Sequence, residues 1–98
     1  MKSSLTNPTK AEQRRFYILK FEIGCLVHRG TPAEAHHLLR GGNRISHGHT
    51  IPLCPDCHWA IHNRKAWFTK KHGNDADLLA EADRKVAAFE RNTIGAAA

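Results

Sequence analysis

Three cysteines and eight histidines carry most of the reactive chemistry in this 98-residue chain. Cys54 and Cys57 are separated by two residues, a spacing that lets a tight turn point both thiolates at one ion. Cys25 and His28 repeat that spacing upstream. Two such halves make a tetrahedral donor set of the kind that holds a structural zinc ion, Zn²⁺. The fourth position is open between His28 and the alternatives His47, His49 or a water. Three cysteines cannot all pair within one chain, and Cys-x2-Cys in a cytosolic setting reads as metal-binding before it reads as a disulfide. The plain alternative is a set of buried thiols with no ion.

The histidines cluster: His28, His36, His37, His47, His49, His58 and His62 all lie between positions 28 and 62. His58 and His62 stand at i and i+4. On a helix they share a face, with Cβ atoms roughly 5–6 Å apart, and form a two-pronged grip on one ion. His36 and His37 are adjacent, so on a strand their side chains point to opposite sides. If one faces the helix as a third ligand, the other is free to activate a water. Metal-assisted phosphodiester hydrolysis needs that division of labour. An ion polarises the scissile phosphate and stabilises the leaving 3′ oxygen, while a neutral histidine takes a proton from the attacking water. A zinc protease would carry glutamate after the first histidine of His-x3-His; Trp59 stands there instead.

A small set of elements has to position these groups. Thr9 with Glu12 three residues later predicts a capping box and a helix start. Phe16, Ile18, Leu19 and Ile23 continue it as helix or extended arm to Gly24. Residues 25–30 read as a knuckle-like turn and residues 33–39 as a strand. Residues 40–44 read as a loop, because Gly41, Gly42 and Asn43 accept special backbone angles. A second strand over residues 49–53 leads to Pro55, which suits a helix first turn, and to a helix over residues 56–65. Trp67 and Phe68 supply apolar cover for it. Gly73, Asn74 and Asp75 break the chain and cap a last helix over residues 75–92. Its apolar stripe is Leu78, Leu79, Ala82, Val86 and Phe89, and residues 95–98 read as a frayed end. Strand, glycine-rich loop, strand and helix across residues 33–65 make a ββα unit, too small to fold on an apolar core alone, which makes a structural metal physically sensible. The predicted class is α+β. Residues 1–24 form a basic N-terminal arm or helix, residues 25–73 the core with its zinc knuckle, and residues 74–98 a packing helix and tail.

Ninety-eight residues allow one domain, and domains this small often need a metal for stability. The net charge of +6 favours a polyanionic partner, nucleic acid first. No apolar run approaches a membrane span, and residues 1–8 lack the apolar core of a secretory signal. The expected location is the cytoplasm.

The run Leu53-Cys54-Pro55-Asp56-Cys57-His58, continued to His62, resembles the helix half of the HNH endonuclease superfamily, whose fold is the ββα-metal, or His-Me finger, core. The resemblance covers residues 25–73. More narrowly, residues 33–39 with Gly41 and Gly42, residues 46–54, and residues 67–73 are similar to the phage Ref family of RecA-dependent HNH nucleases. The resemblance implies a phage or prophage protein, acting in a host cytoplasm, that nicks or cuts DNA where a RecA filament has assembled on single-stranded DNA. It implies His37 as general base and His36, His58 and His62 as ligands of a catalytic Mg²⁺ or Mn²⁺. The family's base-orienting asparagine falls here on His49, with Thr50 beside it, and His49 either orients the base or binds metal. Arg40, Arg44, Arg64, Lys65, Lys70 and Lys71 would hold DNA, mainly through phosphates and with little sequence preference; for Lys70 and Lys71 the alternative is a solvated face. The rival function is a non-catalytic zinc module that binds nucleic acid or a protein partner.

Overall fold

A computed structural model describes residues 6–97 of the protein. Expectations for residues 1–5 and 98 lie outside the described residues. Helix α1, Lys10–Tyr17, starts with the expected capping box: Glu12 N–H donates to Thr9 Oγ1 (3.2 Å) and Thr9 N–H to Glu12 Oε1 (2.8 Å). The helix widens into a π-helical segment, Ile18–Ile23, whose Ile18 and Leu19 are fully buried. Gly24 ends it with φ of +78°, and a Cβ there would stand 2.8 Å from the Thr31 carbonyl oxygen. Gly24→Ala is therefore expected to cost at least ~2 kcal/mol, from strained backbone plus a clash that no side-chain rotation relieves. In a domain this size that lowers Tm by roughly 8–16 °C in a thermal melt. An unchanged Tm would contradict this account of the turn.

Strands β1 (Glu34–His37) and β4 (Thr50–Leu53) pair antiparallel, with His36 opposite Ile51 and His37 opposite Thr50. Between them lies an unexpected hairpin, β2 (Leu39–Arg40) against β3 (Asn43–Arg44). The predicted continuous strand over residues 33–39 breaks at Leu38, whose N–H donates to the His49 carbonyl (2.9 Å). The predicted loop over residues 40–44 is a two-residue turn. Gly41 and Gly42 have φ of +60° and +83°, the pair of positive angles that a tight hairpin of this hand requires.

Helix α2, Pro55–Asn63, begins with proline in its first turn as expected. It stops earlier than predicted. Arg64 leaves the helical region (φ −136°, ψ 52°), and a separate helix α3, Lys65–His72, follows. Phe68 of α3 enters the core, whereas Trp67 stays exposed, so only one of the two aromatics expected as cover serves that role. Helix α4, Asp75–Ala97, runs past the expected end at residue 92. Asn74 caps it by accepting from Asp77 N–H (2.8 Å). One apolar cluster joins the π-helical segment, β4 and helices α2 to α4: Ile18 and Leu19, Leu38, Ile51 and Leu53, Ile61, Phe68, and Leu78, Ala82 and Val86 of α4. The fold is α+β. Among the described residues no helix is long and apolar enough to cross a membrane.

Candidate functional site

Helix α2 and its N-cap contribute side chains to two clusters that could each hold a metal ion. In the first, ligand atoms of Cys25, His28, Cys54 and Cys57 all lie within 4.8 Å of one another. The turn after Gly24 builds half of it. The N–H groups of Val27 and His28 donate to Cys25 Sγ (3.4 and 3.3 Å), and Cys25 N–H donates back across the turn to Thr31 O (3.2 Å). The start of α2 builds the other half. Cys54 occupies the N-cap position and Cys57 lies one turn on, both at the helix end where the macrodipole favours negative sulfur. His28 Nδ1 sits 3.3 Å from Cys54 Sγ and 3.4 Å from Cys57 Sγ, which makes His28 the fourth member; His47 and His49 lie elsewhere.

Without an ion these thiols do not ionise alike. Burial opposes ionisation of Cys25, but backbone N–H groups of Cys54, His28 and Val27 outweigh it and hold the thiol below its ordinary value. Burial, and then the neighbouring Cys54 and Cys25 sulfurs, push the Cys57 thiol well up. Three adjacent sulfurs cannot all be thiolates unless a positive ion stands among them. Three sulfurs and one imidazole are a closed donor set for zinc.

The second cluster is His36, His58 and His62, again within 4.8 Å of one another. His36, on β1, is only 4% exposed, and its ring meets those of His58 and His62 at centroid distances of 5.0 and 4.8 Å. His58 Nδ1 lies 2.7 Å from Glu34 Oε1. The carboxylate can only accept, so Nδ1 carries the proton and Nε2 is the nitrogen open to a metal, the arrangement in which a carboxylate steadies a ligating imidazole. Sequence reasoning missed Glu34, although its place two residues before His36 on a strand puts both on one face. Burial, then the neighbouring His58, His62 and Lys65, push His36 down to about 4, so it stays neutral and available as a ligand in mildly acidic solution. His62 is shifted down too, by burial and then by His58 and Lys65. The cluster opens on a cleft of about 230 Å³ lined by His36, Leu39, Ile61, His62, Lys65 and Asp75.

His37 projects to the other side of β1, as strand geometry requires. There it meets Phe16 of α1 edge-on (centroids 5.8 Å) and His47, whose Nδ1 is 3.0 Å from His37 Nε2. Burial, then the Arg44 guanidinium and His47, lower the His37 value from its ordinary 6.5, leaving the ring neutral near pH 7. His49, expected to orient the base or bind metal, stands outside both clusters, with its Nδ1 2.6 Å from Ser46 Oγ, and the histidine against His37 is His47. Thr50 is buried and structural, accepting from Arg15 Nε (2.9 Å) and donating to the His47 carbonyl (2.9 Å).

Arg40 and Arg44 are exposed on the β2–β3 hairpin, and Lys70 and Lys71 on the last turn of α3. Arg64 stacks over Trp67, 4.7 Å from the ring centroid. Among the described residues Lys65 is the one expected DNA contact tied to an acid, with its Nζ 2.6 Å from Asp75 Oδ1 beside the histidine cleft. Comparison of the chain with protein-family models, curated proteins and solved structures gave no match.

Proposed function

We propose that the protein is a metal-dependent DNA endonuclease of the HNH type, with the ββα-metal core implied by the resemblance of its motifs. The observation that carries this reading is the convergence of His36, His58 and His62 on one another beside a cleft that His36 and His62 line, with the His58 tautomer set by Glu34. Three ligands leave coordination positions for substrate, which a closed structural site does not. Three imidazoles suit a transition ion such as Mn²⁺ or a second Zn²⁺; they are a poor match for Mg²⁺, which prefers oxygen donors and octahedral geometry. When bound there, such an ion polarises a phosphate and stabilises the leaving oxygen. His36, His58 and His62 hold the ion, and His37, neutral near pH 7, takes the proton of the attacking water. Arg40, Arg44, Arg64, Lys70 and Lys71 fix phosphates on either side, and Lys65 joins them when it leaves Asp75. Cleavage directed by a RecA filament is the narrower proposal, carried by the resemblance to the Ref family.

The test is nicking of supercoiled plasmid with Mn²⁺, Zn²⁺ or Mg²⁺, with and without RecA and single-stranded DNA. Cleavage with Mn²⁺ supports the nuclease, and cleavage only with RecA present supports the directed form. No cleavage under any condition, with one tightly held zinc per chain and no second ion, replaces it with the non-catalytic zinc module.

A further inference from the structure

The histidine that meets His37 is neither a ligand nor the expected His49. His47 Nδ1 lies 3.0 Å from His37 Nε2, and His47 Nε2 lies 2.6 Å from the backbone carbonyl oxygen of Thr6. A carbonyl oxygen can only accept, so His47 carries its proton on Nε2. With both rings uncharged, His47 has its lone pair on Nδ1 and accepts from His37, so that His37 donates through Nε2 and its remaining nitrogen, Nδ1, is the basic one. That nitrogen has no hydrogen-bond partner among the described residues and is not sealed from solvent. The chain of contacts runs from a fixed backbone carbonyl to one open lone pair.

The pair is built rigidly. His47 is 9% exposed. Phe16 packs edge-on against both rings, at 5.8 Å and 66° to His37 and at 5.7 Å and 82° to His47. Thr50 Oγ1 donates to the His47 carbonyl (2.9 Å), and Arg15 in turn holds Thr50. A packed structural pair of histidines would spend all four nitrogens on partners; this one uses three.

We propose that His47 is a positioning residue for His37: with the Thr6 carbonyl behind it, it fixes the ring and keeps the His37 proton on Nε2, so that Nδ1 is the nitrogen that accepts a proton. The role in cleavage rests on His37 being the general base; the tautomer does not.

Two substitutions separate this role from mere packing. Asparagine places an amide where the imidazole has Nδ1, and glutamine places one where it has Nε2. His47→Asn thus keeps the acceptor for His37 and loses Thr6, whereas His47→Gln keeps Thr6 and loses the acceptor. The full chain, labelled with ¹⁵N and without added Mn²⁺, is read by long-range ¹H–¹⁵N correlation of its imidazoles at neutral pH. Wild type and His47→Asn are expected to show His37 protonated on Nε2, and His47→Gln a mixture of tautomers. In plasmid nicking, His47→Gln is expected to lose on the order of 10- to 100-fold in kcat with little change in KM, and His47→Asn to stay within about 10-fold of wild type. A wild-type His37 protonated on Nδ1, or a glutamine variant that cuts as well as the asparagine one, overturns the proposal. If the wild type cuts no DNA at all, the nuclease reading fails, while the tautomer in the wild-type spectrum still decides the structural half.

Discussion

Zinc binding at the Cys25, His28, Cys54 and Cys57 cluster is expected to be lost at neutral pH in Cys54→Ser and, with it, the cooperative fold. Structural zinc contributes on the order of 10 kcal/mol or more to small domains, comparable with the whole stability of a domain of this size. The apolar cluster here is modest, and its centre adjoins the sulfurs: Cys25, Cys54 and Cys57 are themselves buried members of it. The serine hydroxyl has the shape of the thiol, is slightly smaller and is a far weaker ligand. It also leaves His28 Nδ1, now 3.3 Å from Cys54 Sγ, facing one sulfur in place of two. Even a partial loss of ~3 kcal/mol would lower Tm by roughly 12–24 °C. The measurement pairs zinc content by metal analysis with a thermal melt before and after chelator. A serine variant that keeps one zinc per chain and melts with wild type would show that this cluster does not support the fold.

The second large effect concerns catalysis without folding. On the proposed nuclease reading, His37→Ala is expected to slow DNA cleavage by about 100-fold or more, the usual contribution of a general base. It should also cost stability, because it strands the buried His47 Nδ1, at about 1–2 kcal/mol. His37→Gln removes that second effect. Its amide N–H reaches His47 in place of Nε2, and it offers no nitrogen of useful basicity. The glutamine variant should be as inactive as alanine with a Tm close to wild type. The pH dependence follows from the direction of the shift. Burial and the nearby Arg44 lower the His37 value below 6.5, so the base is unprotonated at pH 7, and at saturating metal the rate falls only as pH drops below 6.5. His36, at about 4, protonates later. An acid limb centred above 6.5, or a glutamine variant with wild-type rate, would remove His37 from the reaction.

Spacing made the local halves of both clusters legible. Cys-x2-Cys, Cys-x2-His and His-x3-His encode geometry within one turn, and strand alternation sent His36 and His37 to opposite faces before any tertiary structure was known. Local chemistry also marked the Thr9–Glu12 box and Pro55 at the start of α2. What sequence did not reveal depends on chain reversals. The β2–β3 pairing has two residues on each side, too few for a period-two pattern, so Gly41 and Gly42 read as a loop and not as a hairpin turn. That hairpin returns the chain so that His47, and not His49, reaches His37; no spacing rule carries such a contact. The break at Arg64 has neither glycine nor proline to announce it, so the predicted helix ran on to residue 65 and α3 itself went unassigned. The Lys65–Asp75 pair spans the α3–α4 turn and took one expected phosphate contact into an internal ion pair.

Helix α2 carries donors for both clusters, with Cys57 and His58 as consecutive residues. If both clusters hold ions, each loaded site keeps this helix formed for the other, and linkage makes the coupling reciprocal: whatever factor zinc at the cysteines adds to the affinity of the histidines, an ion at the histidines returns to the cysteines.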